Sequence, residues 1–194
     1  MKIITNPKRK DWATILQRPL AGNESLFDKV NSILKDVKEN GDNAVRKYTK
    51  KFDEIELEDF AVSKEELTSA ENMISTALKT AIQLAAANIR RFHQKQISRV
   101  EVIETMPGIK CWQRSVAIEK IGLYIPGGSA PLFSTVLMLG IPAQIVGCKE
   151  IILCTPPSKE GVIHPAILYV AKLCGIIRIY KVGGAQSIAA MAYG

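Results

Sequence analysis

The chain is poor in the side chains from which metal and nucleophile sites are built. Its 194 residues include only two histidines, His93 and His164, and four cysteines. The histidines stand far apart, without a Cys, Asp or Glu at metal-ligand spacing, so no metal site made from this chain alone is expected. Cys111, Cys148, Cys154 and Cys174 form no C-x-x-C pair and three of them sit in apolar surroundings. They read as buried thiols of a reducing compartment rather than as a disulfide framework. No apolar run reaches the roughly 18–20 residues that cross a bilayer. The opening MKIITNPKRKDW lacks the apolar core of a secretion signal, and a cytoplasmic protein without membrane contact is expected. The net charge of +7 invites a nucleic-acid partner, but the densest basic cluster, Lys8-Arg9-Lys10, is only three residues long. No basic stripe with interleaved aromatics accompanies it, so no nucleic-acid partner is expected and the charge reads as a solvated surface.

What is present is enough apolar sequence for a substantial core, arranged in two styles. The first style is helical. Trp12, Ile15 and Leu16 recur at helical spacing in an otherwise irregular arm that Pro19 ends. Asn23 then caps a helix with Leu26, Val30, Ile33, Leu34 and Val37 on its apolar side, and Asn40-Gly41 supplies the stop. A second helix is expected over Asp42 to Lys51, and Phe60-Ala61-Val62 reads as a short strand. Ser63 with Glu66 forms a capping box in front of a single long helix, Lys64 to Gln94, with Leu67, Ala70, Ile74, Leu78, Ile82, Ala85, Ile89 and Phe92 facing inward. These first hundred residues read as packing and architecture.

From Val100 the pattern changes. Two strand-like runs, Val100–Thr105 and Ile109–Ser115, are joined by Met106-Pro107-Gly108, the residue order of a type II turn. Strands at Glu119–Ile125, Glu150–Thr155 and Ile177–Lys181 then alternate with helices at Pro131–Val146, His164–Cys174 and Ala185–Tyr193. This alternation predicts a parallel sheet with right-handed crossovers, and a boundary near Ala117 divides the chain into 1–117 and 118–194. The predicted class is α/β: a helical N-terminal region followed by a Rossmann-like parallel-sheet domain.

Ligands in such sheets bind at the C-terminal ends of the strands, here Tyr124–Ser129, Thr155–Ser158 and Val182–Gln186. Two of these ends, Gly127-Gly128 and Gly183-Gly184, are glycine turns that open a helix. Such turns admit close approach of the backbone to an anionic ligand, although many exist only because the backbone needs glycine there. Tyr124, Pro126 and Gln186 suit a cleft for a dinucleotide; Tyr124 also reads as a strand residue with its hydroxyl at the surface, and Gln186 as a helix-start residue. No G-x-G-x-x-G opens the first helix, and the second strand ends in Thr155-Pro156-Pro157 with no acidic residue placed for a ribose. Ser134 and Thr135 have no base nearby and read as hydroxyls bonded back to their own helix.

The stretch GLYIPGGSAPLFSTVLMLGIPA, followed by ILCTPP and VGGAQSIAAMAYG, closely resembles the histidinol dehydrogenase family, and the segment from Asp42 to Asp53 fits its N-terminal region. The resemblance covers essentially the whole chain. It implies oxidation of L-histidinol through an aldehyde to L-histidine, with two NAD⁺ reduced in succession, a zinc ion, and a homodimer whose subunits share the site. It places Tyr124 and Gln186 at NAD-contacting positions and makes Gly127 and Gly183 shapers of the cofactor cleft. Both parts of the chain are incomplete relative to that family, whose members exceed 400 residues. The family's zinc ligands and proton-handling Glu-His pair map beyond residue 194, so the resemblance assigns this chain no catalytic residue and no metal ligand. The 194-residue chain alone is expected to be inactive. The alternative is a stand-alone nucleotide-binding module or shortened paralogue without catalysis.

Overall fold

Two apolar layers, one on each face of a three-stranded parallel sheet, organise the structure. It is a computed structural model that describes residues 3–17, 24–128 and 130–194. Pro19 as a helix stop, Asn23 as a helix cap, and Ser129 lie outside the described residues.

After a short turn at Arg9–Asp11, α1 spans Trp12–Ile15. Then α2 (Glu24–Asn40) and α3 (Asp42–Asp53) form a hairpin of helices around Gly41, whose φ of 53° with ψ of −133° is open to glycine but lies outside the left-handed helical conformation expected of that stop. Ile33 and Val37 of α2 are buried, whereas Leu26 is exposed. The helix from Lys64 is not continuous. α4 (Lys64–Ser69) passes into a 3₁₀ turn at Ala70–Met73, Ile74 is extended, and α5 (Thr76–Gln94) begins afresh. The Ser75 hydroxyl accepts the N–H of Leu78, so a second cap competes with helix continuation at the break. Phe92, expected inside, is exposed and meets His93 edge-on. The capping box of Ser63 and Glu66 forms in full.

β1 (Val102–Met106) and β2 (Ile109–Trp112) make the antiparallel hairpin, with Gly108 at φ 83° in its turn. The parallel unit follows as β3 (Lys120–Tyr124), α6 (Phe133–Val146), β4 (Glu150–Cys154), α7 (Pro165–Leu173), β5 (Arg178–Tyr180) and α8 (Gly184–Tyr193). The sheet order is β3-β4-β5, with Leu123 beside Leu153 and Leu153 beside Ile179. The short strand expected at residues 60–62 becomes an antiparallel bridge on the outer side of β5. There Ala61 pairs with Tyr180, and Val62 N–H donates to Ile179 O at 2.9 Å.

Alternation along the strands sorts the two layers. Leu123, Leu153 and Ile179 join Ile82 and Ala86 of α5, Val136, Leu137 and Ile141 of α6, and Ile167 and Val170 of α7. The opposite layer gathers Ile33 and Val37 of α2, Ala44, Val45 and Tyr48 of α3, and Val182 and Ala189. Ile82, Leu137, Ile141 and Leu153 are almost wholly buried, and burial of each stabilises by about 1.5–3 kcal/mol. The helical N-terminal region thus covers both faces of a Rossmann-like sheet, in the class the sequence predicts.

Candidate functional site

The three parallel strands end side by side, and the loops leaving them meet. The ladder runs one residue past the strands: Ile125 N–H donates to Cys154 O at 2.9 Å and Thr155 N–H to Tyr180 O at 3.1 Å. Beyond that point Pro156 stands between the two glycine turns. A Cβ built on Gly127 would lie 2.7 Å from Pro156 Cγ, and one built on Gly183 would lie 2.7 Å from Pro156 Cβ. Neither glycine has a positive φ, so both positions exclude a side chain for want of space. The adjacent Gly184 is different, with a φ of 62° that favours glycine by conformation.

Tyr124, the last residue of β3, reaches across to the start of α8. Its hydroxyl accepts the N–H of Gly184 at 3.2 Å. The helix start at Gly183 has no side-chain cap of its own. Gln186, in the first turn of α8, is fully buried, and its carboxamide oxygen lies against the position that a Cβ of Gly184 would take. Neither polar atom of that carboxamide has a hydrogen-bond partner among the described residues. Among the described residues the structure therefore brings Tyr124, Gly127, Gly183 and Gln186 into one cluster, with Pro156 as the wedge between the two turns.

A cleft of about 350 Å³ opens beside this cluster along the ends of β3 and β4. Pro126, Gly127, Pro156, Pro157 and Ile167 give it flat apolar walls, and Thr155 and His164 are its neighbouring polar groups. His164 is the N-cap of α7: its Nδ1 accepts the N–H of Ala166 at 3.2 Å, with Pro165 in the first turn. No three His, Cys, Asp or Glu side chains converge to hold a metal among the described residues. Burial pushes the Cys154 thiol up to about 12 and the Cys174 thiol to about 11, which leaves both inert as nucleophiles.

Sequence reasoning missed one group here. Asp53, the last residue of α3, packs against the second glycine turn, its Oδ1 3.4 Å from the built Cβ of Gly183. Its Oδ2 is buried and has no partner among the described residues, and burial pushes the carboxyl above the usual carboxylate range. A local signal existed. An acid in the last turn of a helix faces the negative end of its dipole, and the following Glu54 takes the left-handed conformation at φ 57°.

A model of the histidinol dehydrogenase family matches residues 16–194. The chain is 55% identical to the histidinol dehydrogenase of Bacteroides thetaiotaomicron over 194 residues, which is 100% of this chain and 45% of the relative. It is 49% identical to that of Aliivibrio fischeri over 182 residues, covering 93% of this chain and 40% of the relative. The crystal structure of histidinol dehydrogenase from Elizabethkingia anophelis superposes with a TM-score of 0.92 at 52% identity, over 97% of this chain and 44% of that one. The chain thus spans less than half the length of the relatives it matches.

Proposed function

The chain belongs to the histidinol dehydrogenase family, and from that premise we propose that it forms the NAD-binding part of an enzyme that oxidises L-histidinol to L-histidine by way of the aldehyde. The observation that carries this reading is the pair of glycine turns closed on Pro156 beside the unpartnered carboxamide of Gln186. A dinucleotide needs both features: backbone that a pyrophosphate can approach, and a fixed polar group that it can satisfy. The division of labour follows residues 1–117 and 118–194, with the second part holding the cleft.

Topology supports the same reading. From β3 to β5 the crossover helices α6 and α7 lie on one face, whereas α8 lies on the other with α2 and α3. Met191 of α8 packs beneath Gly122 of β3. A right-handed return from β5 on that face leads to the edge of β3 that carries no strand among the described residues. A strand added there makes the Gly127 turn the point where strand order reverses, which is where open α/β sheets bind ligands.

NAD, when bound, supplies the hydride acceptor for an alcohol and then for an aldehyde carbon. The residues of this chain bind and orient it. Gly127 and Gly183 admit the backbone approach, Tyr124 ties the start of α8 to the end of β3, and Gln186 presents its carboxamide. A zinc ion does not fit the described residues, which offer no ligand set. Its ligands and the proton-handling residues belong, in this proposal, to the part of the longer relatives that this chain does not span, as does most of the L-histidinol site. A homodimer completes the proposal.

A hybrid tests it. This chain replaces the matching stretch of the Bacteroides thetaiotaomicron relative, and NADH formation on addition of L-histidinol is followed at its near-ultraviolet absorbance. Turnover is expected in the hybrid, none in the 194-residue chain alone, and a loss of at least tenfold in a hybrid carrying Gly183→Leu. A folded hybrid without turnover, or one indifferent to Gly183→Leu, overturns the reading.

A further inference from the structure

The buried polar side-chain atoms that lack a partner among the described residues are the Thr49 hydroxyl, Asp53 Oδ2 and both ends of the Gln186 carboxamide. All of them lie on α3 or α8, the two helices that meet behind the second glycine turn. Buried polar groups without partners are rare in folded proteins, and two of them against one glycine turn mark where a ligand can complete the bonding. Gln186 is fully buried and sits against Gly184. Asp53 comes from the opposite end of the chain and stands against Gly183.

The chemistry of Asp53 limits what it can face. A carboxylate only accepts hydrogen bonds when ionised and repels phosphate. The glycine backbone beside it can serve the pyrophosphate; the acid itself requires a neutral donor. The two hydroxyls of a ribose match the two oxygens of a carboxylate, which is how dinucleotide folds use an acid in general. In those folds the acid ends the second strand. Here the second strand ends in Thr155-Pro156-Pro157, and Pro156 packs against the turn that Asp53 also touches.

We propose that Asp53 of α3 is a specificity-determining residue of the cofactor cleft, accepting hydrogen bonds from a ribose hydroxyl of NAD and excluding the 2′-phosphate of NADP. The assignment rests on the NAD reading above. It substitutes a carboxylate from the helical N-terminal region for the acid that the second strand lacks. Thr49, one turn earlier on the same helix, faces a separate pocket with Asn43, Arg46 and Phe60 and takes no part in this assignment.

Calorimetric titration of the hybrid described above with NAD⁺ and with NADP⁺ tests this, with Asp53 retained as the wild type, with Asp53→Asn and with Asp53→Ala. Circular dichroism checks the fold of each. The wild type is expected to bind NAD⁺ and to discriminate against NADP⁺. Asp53→Asn keeps the shape and removes the charge. It is expected to lose roughly ten- to hundredfold in NAD⁺ affinity and to bring the NADP⁺ and NAD⁺ affinities together. Asp53→Ala is expected to behave the same way. Folded variants whose NADP⁺ to NAD⁺ ratio equals that of the wild type overturn the assignment of Asp53 while leaving the NAD reading intact. A folded wild type that takes up no NAD⁺ overturns both.

Discussion

Replacing Gln186 by methionine separates a structural role from a binding role, because the two predict opposite signs. The side chain is fully buried in the first turn of α8, and its carboxamide oxygen and nitrogen have no partner among the described residues. Leaving a buried polar group unsatisfied costs about 1–3 kcal/mol. Methionine has nearly the same length and no branch to strike the Gly184 backbone, so the exchange conserves shape. Removing the carboxamide is therefore expected to stabilise the ligand-free protein by about 2 kcal/mol. For a chain of this size that raises the melting temperature by about 4–8 °C. With NAD⁺ present the order reverses. A ligand at a hundredfold its Kd adds about 2.7 kcal/mol to the wild type, and Gln186→Met is expected to lose most of that increment. The assay is thermal unfolding by circular dichroism, with and without NAD⁺. A variant less stable than the wild type without ligand shows that the carboxamide serves the fold itself. An undiminished NAD⁺ increment shows that it does not serve the cofactor. Either result refutes the reasoning.

Gly127→Ala sets a methyl group against Pro156 and is expected to lower stability by about 1–3 kcal/mol, whereas Gly128→Ala, with nothing within 4 Å of its built Cβ, is expected to melt like the wild type. Paired melting curves of the two variants check this. Among the cysteines, exposed Cys111 is expected to react first with a thiol reagent at neutral pH, and Cys154 and Cys174, held near 12 and 11, only on unfolding. Mass spectrometry of the labelled chain reads the order. Burial raises the folded pKa of Asp53 above its ordinary 3.8, so the stability linked to its protonation is present in full below that value and is lost as pH rises through the raised one. Asp53→Asn is expected to flatten the pH dependence of the melting temperature across that window.

The βα order was legible because each crossover carries its own punctuation. Pro165 follows the capping His164, Gly147 closes α6 in the left-handed conformation, and short β-branched runs lie between. Strand ends could be located on the same grounds, and with them the two glycine turns. The break at Ser75 was not legible. Residues 64–94 keep a helical apolar period throughout, and the choice between continuing and restarting falls to a single hydroxyl that caps Leu78. Nor was the wedge at Pro156, because the contacts that make Gly127 and Gly183 necessary as glycines join three loops distant in sequence. Local pattern reports which residues can turn; only the assembled sheet reports what they turn against.

Asp53 is unfavourable both locally and in the assembled fold. At the level of the helix it is misplaced, an acid at the negative end of α3 followed by a left-handed Glu54. At the level of packing it is costly, with a buried oxygen that the protein does not satisfy. Gln186 repeats the pattern on α8, and Gly183 begins that helix without a side-chain cap. Each departure disfavours the folded state, yet all three occur where α3 and α8 meet the strand ends. Side-chain caps at Ser63, Ser75 and His164 open α4, α5 and α7, whereas α1, α3 and α6 begin without one, as α8 does; what singles out this junction among the described residues is the buried side-chain atoms without partners. Their coincidence is the pattern expected of a site whose missing partner is a ligand.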